Sequence, residues 1–300
     1  MLSVLIPSYN HARYIDEAIN SARRIDVPGK RIVVIDDASP DDSAAVIEAN
    51  LRRHGAEGIE FIRKPVNRGA IDSVLTFLAM CETEYVYFMA SDDIAVPEGI
   101  AELVNRLERQ RTLQFMIGGG RNLLPDGSVS SLYGRRHERL FGLPADGMVK
   151  TLLLTDVSPM LCQSSVFRTS AIREVRGFER GQTADDFALF TRLLLRYRCR
   201  GVDFDFAPNV ECVVYRHHGQ NSYRNLSRQA LSTLQVLEAA SPPELRARTT
   251  AYRLAFYALV AAKRGDIASA LKIAKMATLA RSGWFVMGLF SNAFDHLRFR

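Results

Sequence analysis

The chain has 300 residues, 47% of them hydrophobic, with 39 lysines and arginines against 33 acids and a net charge of +6. That is enough apolar material for one large α/β domain, or a domain with an appendage, and it excludes a disordered or low-complexity protein. Cys81, Cys162, Cys199 and Cys212 are too widely separated for a disulfide framework or a zinc motif, and the basic excess, which suits phosphates or an anionic surface, comes without any nucleic-acid-binding fingerprint, so nucleic acid is not an expected partner.

In chain order, the opening MLSVLIPSYN has no basic region before its short apolar run, so no secretory leader or membrane span is expected and the chain is placed in the cytoplasm. Leu2 to Ile6 reads as a buried strand, followed by helical spacing at Ile15, Ala18, Ile19 and Ala22 and a turn at Pro28-Gly29. Arg31 to Ile35 is the second strand. Asp41 or Asp42 then caps a helix that buries Val46, Ile47 and Leu51. Ile59 to Ile62 and Tyr85 to Met89 are further strands, and Pro97 suits the first turn of a helix carrying Ile100, Leu103 and Leu107. This alternation predicts a mainly parallel sheet flanked by helices. Residues 120–150, rich in glycine, arginine and polar groups, read as a mobile insertion, and a helix is expected from about Asp185 to Tyr197. After residue 226 the pattern is helical, with a stop and a restart at Gly265-Asp266, as in an appended hairpin.

In an open α/β sheet, ligands sit outside the carboxyl ends of the strands, and three polar clusters fall there: Ser8-Tyr9-Asn10, Asp36-Asp37 and Ser91-Asp92-Asp93. Adjacent carboxylates after a buried strand, as at Asp92-Asp93, suit a divalent cation holding a diphosphate, or simply cap the following helix. Asp36-Asp37 suits a base imide or ribose hydroxyls, or again a helix cap. Asp185-Asp186 could supply a general base for an acceptor hydroxyl, or complement a helix dipole. Arg216, His218, Asn221 and Ser222 offer groups for phosphate or a further metal ligand, or form a polar surface turn.

Taken together, LSVLIPSYNHARYIDEAINS, VVIDDASPDDS, NRGAIDSV, YVYFMASDD, GFERGQTADDFALFTRLL and YRHHGQNS, in this order across about residues 2–224, resemble the family 2 glycosyltransferases, an inverting group with the GT-A fold. The resemblance implies a Rossmann-like α/β catalytic domain over 1–225, with a nucleotide-sugar half at 1–115, an acceptor half at 116–225 and a helical appendage at 226–300. It implies that Pro7, Ser8, Tyr9, Asp37, Asn67, Gly69, Ser91 and Asp92 bind the donor, and that Asp93, with His218, holds Mn²⁺ or Mg²⁺. Asp186 stands at the position of the catalytic aspartate, and Asp185 where Glu is usual. Ser91 replaces an Asp of the DXD motif, and the family's ARN is absent after Gly69, so the donor's sugar and nucleotide stay open, with a UDP-sugar expected first. The implied reaction is transfer to a saccharide or lipid-linked hydroxyl in cell-surface polysaccharide or glycolipid assembly. A non-catalytic nucleotide-sugar-binding subunit is the alternative. A nucleotidyltransferase is a weaker one, because PSYNHARY rather than a glycine-rich basic loop follows the first strand. The apolar segment Trp284 to Phe294, flanked by Arg281, Arg298 and Arg300, is expected to pack on the catalytic domain or a homodimer partner, or to lie peripherally on the inner membrane face.

Overall fold

The N-terminal strands pair in parallel because their apolar residues alternate toward two faces, both of which helices can cover. In the computed structural model, which describes residues 1–155, 160–181, 185–219, 225–277 and 282–298, β1 (Leu2–Ser8), β2 (Arg31–Asp36), β3 (Ile59–Arg63) and β4 (Tyr85–Phe88) lie in the order β3-β2-β1-β4. Leu5, Val33, Ile35, Val86 and Phe88 enter the core on one face, and Val4, Ile6, Ile32, Val34, Tyr85 and Tyr87 the core on the other. Three helices, α1 (Ile15–Arg23), α2 (Ser43–His54) and α4 (Pro97–Arg109), cover the second face through Ile15, Ile19, Ile47, Ile100 and Leu103. The first face is closed in part by α3 (Ala70–Met80), through Val74 and Phe77.

Beyond β4 the sheet is mixed rather than mainly parallel. It continues through β8 (Ser165–Arg168), β6 (Phe115–Leu123), β9 (Phe204–Arg216) and β5 (Ile94–Ala95), with β7 (Val129–Ser131) paired to β6. The reversal starts at β8, which a short 3₁₀ turn, Cys162–Ser164, delivers to the carboxyl edge, where the Tyr87 hydroxyl of β4 donates to the Gln163 carbonyl at 2.8 Å. A strand entering there must run antiparallel to β4, as it does. Two glycines let β9 approach: a Cβ on Gly99 would lie 1.7 Å from the Glu211 carbonyl oxygen, and one on Gly119 1.8 Å from that of Pro208.

Residues 120–150, expected as a mobile insertion, instead complete β6 and form β7, α5 (Arg135–Phe141) and most of α6 (Ala145–Leu154). Tyr133, Leu140, Phe141, Met148 and Val149 sink into the first core, which outweighs the polar composition of the segment. The helices α7 (Thr169–Glu174) and α8 (Asp185–Arg196) finish that face.

Among the described residues the C-terminal part has four helices where a hairpin was expected: α9 (Leu226–Ala240), α10 (Pro243–Lys263), α11 (Ile267–Met276) and α12 (Ser282–Arg298). The stop and restart are as read: Gly265 takes φ +75°, and the Asp266 carboxylate accepts from the Ser269 amide at 3.0 Å. Their own small core holds Leu226, Leu254, Ala258 and Ile273. Buried Arg253 of α10 ties them to the sheet domain, donating to the Leu152 and Thr155 carbonyls at the end of α6 and lying 4.8 Å over the Phe187 ring of α8.

Candidate active site

The loops after β1 and β2 are locked to each other. Asn10 and Ala38 both adopt left-handed φ, +58° and +56°, a conformation that costs a non-glycine residue about 1 kcal/mol and persists where the surroundings impose it. The surroundings are a lattice of side chains on backbone amides. Ser39 Oγ accepts from Asn10 N, Ser43 Oγ from His11 N and Asp41 Oδ2 from Ala12 N, each at 3.0 Å, while Ser39 donates to the buried Asp36 carboxylate. Ser8 ends β1 with a buried Oγ that has no hydrogen-bond partner among the described residues, a condition that costs about 1–3 kcal/mol. Pro7 precedes it, half-buried, and Tyr9 follows, exposed.

Asp37 is buried and organises the neighbouring loop. Its carboxylate accepts from Arg68 N at 3.0 Å and Gly69 N at 2.6 Å, and pairs with partly buried Lys64 at 3.1 Å, which also reaches Asp72 at 2.8 Å. Gly69 takes φ +88°, and exposed Asn67 turns its side-chain oxygen onto the same amide. Asp37→Ala is expected to cost about 3 kcal/mol in urea unfolding, the lower end for breaking a buried ion pair because Asp72 still neutralises Lys64. Asp37→Asn, which keeps an acceptor for Gly69, is expected to lose less; equal loss in the two variants would mean that charge, not the loop hydrogen bonds, carries the effect.

The loop after β4 meets β9. His218 Nε2 lies 2.7 Å from Asp92 Oδ2, and His11 Nε2 lies 3.8 Å from the same oxygen. One ligand atom from each of His11, Asp92 and His218 falls within 4.8 Å of the others, the one such cluster among the described residues. The imidazoles are held by their other contacts. His11 Nδ1 is 2.7 Å from Ser91 Oγ, and the His218 ring stacks on Tyr14 at 5.1 Å, with the Arg216 guanidinium 5.0 Å from the Tyr14 ring centre. Burial, together with His218 nearby and against the pull of Asp92, lowers the His11 pKa, so its imidazole is neutral at pH 7 and offers a lone pair.

Asp93 has a different situation. It is 1% exposed, its Oδ1 accepts from Arg216 N at 2.9 Å and its Oδ2 from Gln163 Nε2 at 3.3 Å, and burial, then the Asp92 charge, push its pKa well above the usual carboxylate range. Of the pair expected to hold a metal, His218 therefore belongs to the cluster. Asp93 instead braces the end of β9 from which His218 projects, while Asp92, expected near the ribose or sugar, is the carboxylate that lies beside the two imidazoles. The physical reason is orientation: one carboxylate of the pair faces inward to backbone and amide donors, the other toward two imidazoles.

The 3₁₀ turn links this cluster to the start of α8. Cys162 N donates to Asp186 Oδ1 at 3.1 Å, and the next side chain, Gln163, holds Asp93. Buried Tyr133 fixes the turn from behind, accepting from Leu161 N at 2.9 Å and meeting Ser164 Oγ at 2.7 Å; burial raises its own pKa. Asp186 is thus placed on the same edge as Asp92 and Asp93, whereas the Asp185 side chain and residues 220–224, which include Asn221 and Ser222, lie outside the described residues. Sequence reasoning missed His11, Gln163, Tyr14 and Lys64 as site residues. His11 stood inside a quoted motif, but its partner lies 80 residues away, and no local pattern marks Gln163.

Residues 3–142 match the model of "Glycosyl transferase family 2". Among curated relatives, the chain is 24% identical over 131 residues to a chondroitin synthase of Escherichia coli, covering 44% of this chain and 19% of that one. It is 19% identical over 243 residues to a poly-beta-1,6-N-acetyl-D-glucosamine synthase of Staphylococcus epidermidis, covering 78% of this chain and 58% of that one. The chain thus spans between about a fifth and three fifths of these two relatives' lengths. In fold it resembles S. aureus TarS 1-349 in complex with UDP-GlcNAc, with a TM-score of 0.62, 15% identity, and coverage of 96% of this chain and 79% of that one. It resembles equally a mannosyltransferase from Pyrobaculum calidifontis in complex with GDP-Man and Mn²⁺, with a TM-score of 0.62, 19% identity, and coverage of 98% and 87%.

Proposed function

We propose, from the premise that through residues 3–142 this chain belongs to glycosyl transferase family 2 and has the GT-A fold, that it transfers a glycosyl group from a nucleoside-diphosphate sugar to an acceptor hydroxyl with inversion. The observation that carries the reading is the joining of two chemistries on one sheet edge: the His11, Asp92 and His218 cluster and the Asp186 carboxylate, coupled through Cys162, Gln163 and Asp93. A single displacement needs charge stabilisation at the leaving diphosphate and a base on the opposite side of the anomeric carbon.

In this reading the loops after β1 and β2 form the nucleoside site. Pro7, Ser8 and Tyr9 border the base, with the orphaned Ser8 hydroxyl a ready partner for it, and Asp37, with its own carboxylate engaged by Arg68, Gly69 and Lys64, shapes the donor side through the Asn67–Gly69 loop. Ser91 orients His11. His11, Asp92 and His218 would hold a divalent cation, and a set of two imidazoles and one carboxylate suits Mn²⁺ better than Mg²⁺, which prefers oxygen ligands throughout. Held there, such a cation would supply positive charge to offset the negative charge developing on the diphosphate. Asp186 takes the proton of the acceptor hydroxyl; the oxygen–C1 bond forms as the C1–phosphate oxygen bond breaks, and the electron pair leaves on the nucleoside diphosphate. Asp185 remains the second candidate for that base.

A UDP-sugar is the donor of first choice, with GDP- and dTDP-sugars next; structures of similar fold hold UDP-GlcNAc and GDP-Man. The polysaccharide-synthase names among the relatives support a saccharide or lipid-linked acceptor in cell-surface polymer or glycolipid assembly. The test is calorimetric titration of the whole chain with UDP, GDP and dTDP, each with and without Mn²⁺. Micromolar, Mn²⁺-dependent binding of one of them is expected; absence of binding by all three would overturn the donor-site reading.

A further inference from the structure

The net positive charge of this protein comes from its last sixty residues. Residues 241–300 hold ten lysines and arginines against three acids, leaving 29 basic and 30 acidic residues in 1–240. The same region carries the densest run of exposed apolar side chains. On α12, Phe285 packs on the helical core, and Gly288 sits so close to Tyr252 and Ala255 of α10 that an added Cβ would lie 3.0 Å from each. Val286, Met287 and Phe290 point the other way and are each half or more exposed, with Trp284 exposed at their margin. Ile267 and Leu271, one turn apart on α11, are exposed as well, beside exposed Lys263, Arg264, Lys272 and Lys275. Arg248 lies 5.3 Å from the Trp284 ring centre. The inner side of α12 thus packs on α10 and the helical core rather than on the catalytic domain.

We infer that the outer face of α11 and α12 is a docking surface for an anionic phospholipid bilayer. No described helix is long and apolar enough to cross a membrane, and α12, at 17 residues, is about 25 Å long and leaves Val286, Met287 and Phe290 exposed on its outer side, where a helix lying in the interface plane meets lipid. Tryptophan and phenylalanine enter the headgroup boundary while lysine and arginine meet lipid phosphates. The charge decides between a bilayer and a second copy of the chain: two such faces, each in a segment with a net +7, repel one another, whereas an anionic leaflet attracts both. Because α9 and α10 pack on α8 and α6, docking would also set the orientation of the sheet edge to the lipid surface. This inference does not depend on the glycosyl-transfer reading.

The experiment is co-sedimentation of the whole chain with phosphatidylcholine vesicles, with and without about 30% phosphatidylglycerol, in about 0.1 M salt. Binding to the anionic vesicles is expected to exceed that to neutral ones by about tenfold or more and to weaken as salt rises. Met287→Ser with Phe290→Ser, and separately Lys272→Glu with Lys275→Glu, are each expected to reduce it about tenfold while leaving the circular-dichroism melting curve in place. Binding that ignores lipid charge, or that both folded variants retain, overturns the inference. So does a wild-type chain that dimerises through this face in light scattering and leaves vesicles unbound.

Discussion

Asp186→Asn is expected to lower kcat for sugar transfer by about 10²–10⁴-fold while leaving donor affinity within a few-fold of wild type. Asparagine has the same shape, and its carbonyl oxygen can still accept from Cys162 N, so the 3₁₀ turn, and through Gln163 the position of Asp93, should survive the change. What is lost is the capacity to hold a proton at neutral pH. The measurement is nucleoside-diphosphate release in the presence of an acceptor, set beside calorimetric donor binding. Asp185→Asn is the necessary companion, because both residues start α8. If Asp186→Asn keeps more than about a tenth of the rate and Asp185→Asn does not, the base is Asp185; if both keep it, the mechanism has been placed on the wrong helix.

The second large effect separates the two adjacent carboxylates. Asp92→Ala is expected to weaken Mn²⁺-dependent nucleotide binding by about 100-fold or more, since changes to groups merely behind a metal ligand already cost 10–100-fold. Folding should change less than on loss of Asp93, because Asp92 meets the His11 and His218 imidazoles, whereas Asp93 braces the backbone at the end of β9. Asp93→Ala should do the reverse in kind: it strips the acceptor from Arg216 N and Gln163 Nε2 inside the protein and is expected to cost about 1–3 kcal/mol in urea unfolding. Nucleotide binding by Asp93→Ala should suffer second-hand, through the displaced end of β9, and Asp93→Asn, which can still accept, should restore much of it. Metal-dependent binding that persists in Asp92→Ala and vanishes in a stably folded Asp93→Asn would return the ligand role to Asp93.

The strand pattern of Leu2–Ser8 and Arg31–Asp36, the polar clusters at their carboxyl ends, the helix from Asp185 and the break at Gly265-Asp266 were all legible from residue order. Each depends on interactions within a few residues: side-chain alternation, a cap, a left-handed glycine. The segment 120–150 was misread because its composition is polar on average, while the few residues that decide its structure, such as Phe141 and Met148, are the ones buried.

Within the site, residue type was legible and role was not. Two neighbouring aspartates in the chain are equivalent by any local measure; the tertiary structure made them different by setting Arg216 N against Asp93 from 123 positions away and His218 against Asp92 from 126. The same contacts brought His11 into the cluster and let the turn at Cys162–Ser164 tie Asp93 to Asp186. Chemistry that comes from residue identity and short-range pattern is written along the chain. Division of labour between like groups is decided by which distant donors the fold turns toward each of them, and that appears when the sheet has closed.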